Sequence, residues 1–221
     1  MATSLFIATS GPFSAKAQEA AYKWDAGVRV GMAGYLGDYS SNVFSSPGFQ
    51  GAITGRYLYD TRWSFSGNID FSYLNGSVKN ISGDYPGTIG ENFSAITTEI
   101  NFRAEFNFFP YGIGETYKGL KKWSPYLAVG AGVIIAKPKG GDTAFAPEIP
   151  MAFGIRYKLN KRFNLIAEIS LTKTFTDGID NAGDIYGIKS EWFKNTDWTS
   201  SLTVGFTYEF GERCATCHYV D

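Results

Sequence analysis

Cys214-Ala-Thr-Cys217-His218, near the end of the chain, is the cluster whose residue types and spacing could do chemistry. CxxCH is the pattern of c-type haem attachment. A haem also needs an apolar pocket, and a tail of this length cannot build one. As a zinc site the cluster lacks a fourth ligand unless a partner donates it. In an oxidising compartment the two thiols read instead as a disulfide, formed within the pair or to another protein. His218 is the sole histidine of the chain. A Ser–His or His–carboxylate site elsewhere is therefore unavailable, and no catalytic residue, metal or cofactor is expected.

A second set of reactive groups is spread along the chain. Arg29, Arg56, Arg103 and Arg156 stand against Asp70, Glu99, Glu105 and Glu168, each within a segment that alternates apolar and polar residues. Buried together, such groups would either carry protons or ions, or neutralise one another as a plug. The segments that hold them decide between these.

Arg62 to Tyr73 sets the pattern. Trp63, Phe65, Gly67, Ile69, Phe71 and Tyr73 fall on one face of an extended strand, with Arg62, Ser64, Ser66, Asn68, Asp70 and Ser72 on the other. A half-buried strand of a soluble protein usually stops at ~5–6 residues, whereas a strand tilted through a bilayer needs ~9–11 and carries aromatics at both interfaces. Seven more segments repeat the alternation, beginning near Trp24, Phe49, Ile96, Pro125, Ile149, Phe163 and Trp198. In the fourth, Ile96, Ile100, Phe102, Phe106 and Phe108 oppose Glu99, Asn101, Arg103, Glu105 and Asn107. The expected fold is all-β, an eight-stranded antiparallel transmembrane β-barrel with both termini in the periplasm. A soluble lipocalin-like barrel would reverse the faces, apolar inward; the aromatic strand ends favour the membrane. Side chains fill the bore of an eight-stranded barrel, so the eight charges are read as a plug.

Composition agrees. Aromatic residues make up 17% of the chain, glycine numbers 26 and the net charge is −1, which gives no sign of a nucleic-acid partner. No apolar run is long enough for a transmembrane helix. Residues 1–17 read as a signal peptide, with Leu5–Ala8 as its apolar centre and Ala15-Lys16-Ala17 as the cleavage pattern. Residues 18–210 form the barrel, and 211–221 a periplasmic tail.

The links after the second and sixth segments are short, while those after the first, third, fifth and seventh are longer and polar, the sidedness of an outer-membrane barrel. Pro110–Ser124 breaks this rule, a turn of loop length on the periplasmic side. That side gathers Lys118, Lys121, Lys122, Lys158, Lys161, Arg162 and Arg213 beside fewer acids, Glu209 among them, and the outer loops lean acidic through Asp38, Asp84 and Asp177. A basic rim of this kind suits anionic lipid headgroups or an acidic protein docked beneath the barrel. The candidate partner face is Lys118, Lys121, Lys122, Lys161, Arg162 and Arg213, together with Cys214 and Cys217.

Gly34–Asp38, Glu105–Phe109, Ser124–Leu127, Ile149–Leu159, Lys173–Asp177 and Asn195–Trp198, in this order and spacing, resemble the PorG family. These are small outer-membrane barrels of the type IX secretion system of Bacteroidetes. The likeness runs from about Trp24 to Cys217, with no matched motif in Asn75–Glu91 or Lys137–Glu148. It implies a non-catalytic barrel subunit in the cell outer membrane, contacting the periplasmic ring of the lipoprotein PorK and PorN, and not the translocation pore. A free-standing structural or adhesin-type barrel is the rival reading.

Overall fold

A computed structural model describes residues 21–36, 48–77, 92–113, 119–138, 143–175 and 198–213. The alternating segments become eight strands: β1 (Tyr22–Leu36), β2 (Gly48–Leu58), β3 (Trp63–Ser77), β4 (Asn92–Asn107), β5 (Trp123–Pro138), β6 (Ala144–Lys158), β7 (Phe163–Thr174) and β8 (Trp198–Glu212). Each pairs antiparallel with its neighbours in sequence, and β8 pairs with β1, so the sheet closes with no free edge. The shortest strand has 11 residues and the longest 16, enough to cross a hydrocarbon layer at the tilt of a barrel.

The two faces separate as the side-chain period requires. Phe102 is 74% exposed and Phe65 51%, so the apolar strings point away from the axis and the lipocalin-like arrangement does not apply. Val28, Ile53, Ile69 and Ile100 stand side by side in register on that outer face. Near the short-turn end the outer face carries cross-strand aromatic pairs. Trp24 meets Tyr57 at 5.1 Å between ring centroids, Trp63 meets Phe106 at 5.0 Å and Phe163 meets Tyr208 at 5.1 Å. Aromatics far apart in the chain thus become neighbours in a girdle.

The two short turns use one device. Asp60 Oδ1 accepts from the backbone N–H groups of Arg62 and Trp63, both at 2.6 Å, and Asn160 Oδ1 accepts from those of Arg162 and Phe163, both at 2.9 Å. A short side-chain acceptor stands in for the backbone of the turn.

Three features depart from expectation. The β5–β6 hairpin extends further than the alternation suggested, with β6 beginning at Ala144, because the strands stay paired through Ala136 and Ala144. Apolar side chains also enter the interior: Leu58, Leu74, Ile134 and Ile166 are buried. Finally, the described residues of the link after β4, 108–113 and 119–122, fold back over the barrel end, where Tyr111 N donates to Thr61 O at 3.0 Å and Gly112 N to Lys121 O at 3.0 Å. The exception to the short-turn rule is therefore a stopper.

Candidate functional site: the sealed interior and the short-turn face

Every strand sends polar side chains inward, and at mid-height four charges form a square. Arg29 on β1 and Arg103 on β4 both reach Glu168 on β7, Arg103 through Nη1 at 2.9 Å. The same two guanidinium groups reach Asp70 on β3 at 3.5 and 3.4 Å. Asp70 also accepts from Gln50 at 3.2 Å and Asn101 at 3.3 Å, while Asn68 accepts from Arg29 and Thr54. Charges this deep persist only when each has partners for its lone pairs and protons.

Towards the short turns lies a second knot. Glu105 on β4 accepts from Arg56 Nε at 2.7 Å, from Arg156 and from Ser64 at 3.2 Å. Arg56 also pairs with Asp25 at 3.1 Å, and Asp25 accepts from Thr207 at 2.8 Å. Tyr126 couples the two knots. Its hydroxyl donates to Glu168, and its ring lies 4.1 Å from the Arg156 guanidinium carbon. Register explains how the ring fits: Tyr126 pairs with Gly154, and a Cβ on that glycine would stand 2.5 Å from the ring.

Lys158 and Glu209, counted with the short-turn end and placed on inward faces by the alternation, are both buried. They pair with each other, because their positions in β6 and β8 are inward ones. Above them Tyr111 donates to Asn164 at 2.8 Å. Burial pushes this phenol well above its ordinary value, so it stays a donor. Of the eight interior charges expected to pair, Glu99 is the exception. Among the described residues it has no ion pair, accepting only from Thr199 at 3.4 Å, and Glu148 nearby accepts from Asn101 at 3.3 Å.

On the short-turn face Lys121, Lys122, Lys161 and Arg162 are exposed. Lys121 sits 3.9 Å from the centre of the Phe109 ring. Arg162 donates to Tyr208 and Glu212 at 2.9 and 2.8 Å, and the Tyr208, Tyr22 and Glu212 contacts raise its affinity for its proton. Arg213 is half-buried, and its guanidinium donates to the Leu58 carbonyl, so it ties β8 to β2. Lys118, Cys214, Cys217 and His218 lie outside the described residues, as do residues 1–17, Asp38, Asp84 and Asp177.

Sequence reasoning missed Tyr126 and Glu148. Tyr126 follows Pro125 at the edge of a segment of small residues, and only its odd–even position signalled an inward side chain. Glu148 stood in what read as loop.

A family profile described as Domain of unknown function (DUF6089) matches residues 12–219. No curated protein matches the sequence. Among solved structures, Neisserial surface protein A is similar at a TM-score of 0.55 and 14% identity, over 85% of this chain and 97% of that one. Ail, the attachment invasion locus protein of Yersinia pestis, aligns at 0.49 and 12% identity, over 85% and 99%. A major outer membrane protein from Thermus thermophilus aligns at 0.47 and 15%, over 86% and 100%. The likeness to the Neisserial protein bears on fold, which is that of an eight-stranded outer-membrane barrel.

Proposed function

We propose that this chain, which belongs to the DUF6089 family, is a non-catalytic outer-membrane subunit of the type IX protein secretion machinery. The barrel sits in the outer membrane with its long loops outward. Its short turns, stopper and C-terminal tail face the periplasm, where they contact the ring of PorK and PorN.

The observation that carries this reading is the filled interior. Two knots of ion pairs and the Tyr111 stopper leave the barrel no passage, so its use to a secretion machine is as an anchor with two faces. Its outer belt of exposed Val, Ile and Phe suits lipid. Exposed lysines at the short-turn end suit an acidic protein surface. The secretion role itself rests on the PorG resemblance. Cys214 and Cys217 are assigned to the same contact, as a disulfide within the pair or to the partner.

Crosslinking from intact outer membranes tests it. Lys121→Glu, Lys122→Glu and Lys161→Glu together should abolish crosslinks to PorK and PorN while the barrel remains folded. Unchanged crosslinks would remove the docking face. β8 runs to Glu212 and Arg213 bonds to Leu58, beyond the expected barrel end at residue 210, so the tail is tested by deleting residues 214–221: an anchor loses partner contact, whereas an adhesin-type barrel keeps its function.

A further inference from the structure

From β3 to β5 the aromatic girdle forms a shelf. Trp63 meets Phe106 at 5.0 Å between ring centroids, Phe106 meets Phe108 at 5.8 Å, and Phe109 meets Trp123 edge-on at 5.1 Å. Trp63, Phe108 and Trp123 are exposed on the outer side. Rings gathered at the end of a lipid-facing belt settle at the level of the headgroups.

Two exposed cations stand on this shelf. Arg62 donates through Nη1 to the Phe108 carbonyl at 3.4 Å, and the Lys121 ammonium lies 3.9 Å from the centre of the Phe109 ring. Phe108 and Phe109 are consecutive, so cations from two separate turns become neighbours. Both stand on a fixed backbone. Arg62 N donates to Asp60 and its carbonyl accepts from Asn107 N at 2.7 Å; Lys121 N donates to Pro110 O at 2.8 Å and its carbonyl accepts from Gly112 N at 3.0 Å.

Neither charge is compensated. Among the described residues, the ion pairs nearest this end are Lys158–Glu209, which is buried, and Arg162–Glu212 on the rim. Asp60 is buried and gives its Oδ1 to the backbone of its own turn. An acidic protein and an anionic lipid could each supply the missing charge, and location favours the lipid. Arg62 and Lys121 rest on girdle residues at the edge of the apolar belt, whereas Lys161 lines a recess beside Tyr111 and Leu120 of the stopper.

We infer that Arg62 and Lys121 clamp the headgroup phosphate of an anionic phospholipid in the leaflet at the short-turn end. The guanidinium offers a planar fork and the ammonium a point charge, and both suit phosphate oxygens. The acyl chains run down the apolar outer face of β3 and β4. A zwitterionic headgroup brings a cation of its own to the site, so the clamp favours a net negative one. The inference depends on the outer belt lying in lipid and not on the secretion reading.

The test uses the full barrel in nanodiscs of phosphatidylglycerol and phosphatidylcholine in equal amounts, with matched chains. Lipid that stays bound after release into detergent is identified by native mass spectrometry. Phosphatidylglycerol should be retained roughly tenfold over phosphatidylcholine. Arg62→Gln and Lys121→Gln should each cut that preference severalfold, and the double variant should abolish it, with folding verified by heat-dependent gel mobility. Lys23→Gln removes the same charge from the same end of the barrel, on β1, and should leave the preference intact. Equal retention of the two lipids overturns the clamp. A preference that falls as far in Lys23→Gln also overturns it, by making the attraction a property of the whole rim. Displacement of the bound lipid by excess inorganic phosphate would give the site to a free anion. Unchanged retention in the double variant, with loss of the ring crosslinks, would give the shelf to the protein partner. A lipid preference that follows Arg62 and Lys121 while the lysine reversals leave crosslinks unchanged would keep the clamp and remove the docking face.

Discussion

Arg103 on β4 donates to Glu168 on β7 at 2.9 Å, an ion pair that crosses the bore between residues 65 positions apart in the chain. Neither partner has water to fall back on, since both are almost wholly buried. Arg29 and Tyr126 converge on the same carboxylate, which makes Glu168 the point where four strands are tied together.

Glu168→Gln should therefore be strongly destabilising. It strips Arg29 and Arg103 of a shared counter-charge, and breaking a buried pair from one side typically costs about 3–5 kcal/mol. Urea unfolding in lipid vesicles measures it, and a loss within about 1 kcal/mol would show that water or lipid headgroups reach the square.

Glu99→Gln should behave in the opposite way. With no ion pair to break among the described residues, the amide keeps the Thr199 contact and sheds a buried charge. Stability should stay within about 1 kcal/mol of the parent or rise. The same assay run beside Glu105→Gln, which abandons Arg56 and Arg156, gives an internal contrast that depends on geometry alone.

Phe102→Arg tests what the outer face touches. Phe102 is among the most exposed apolar side chains and lies along β4 between the Phe106 girdle contact and the strand's other end. An arginine at the midplane of a lipid-facing strand costs about 2–4 kcal/mol. An exposed position facing water would change stability by no more than about 0.5 kcal/mol.

Gly154→Val should displace Tyr126, because the new branched side chain needs the space of its ring. Overpacking of this sort costs about 1–3 kcal/mol, and here it also removes the hydrogen bond to Glu168. Tyr126→Phe in the same background separates the two contributions: if packing dominates, the double variant should be no more stable than Gly154→Val alone.

No ion conductance is expected from the intact barrel in planar bilayers. The two knots and the Tyr111 stopper occupy the path. Stepwise conductance from pure, folded protein would contradict the anchor reading.

Much of this was legible in the sequence because alternation is a local property of one strand. Each side chain's face follows from whether its position is odd or even, so Phe65, Phe102, Arg103 and Glu168 could be assigned without knowing any neighbour. Strand number and closure followed from repeats of the same signal. Pairing across the bore could not be read this way. Which arginine meets which carboxylate depends on the stagger between strands, a property of the closed sheet and of no single segment. Arg103 and Glu168 meet, while Glu99, on the same inward face of β4, has no cation within ion-pair distance among the described residues. The same holds for the Pro110–Ser124 link. Its length was visible, but only the closed barrel gives Tyr111 an opening to stop and Asn164 to bond.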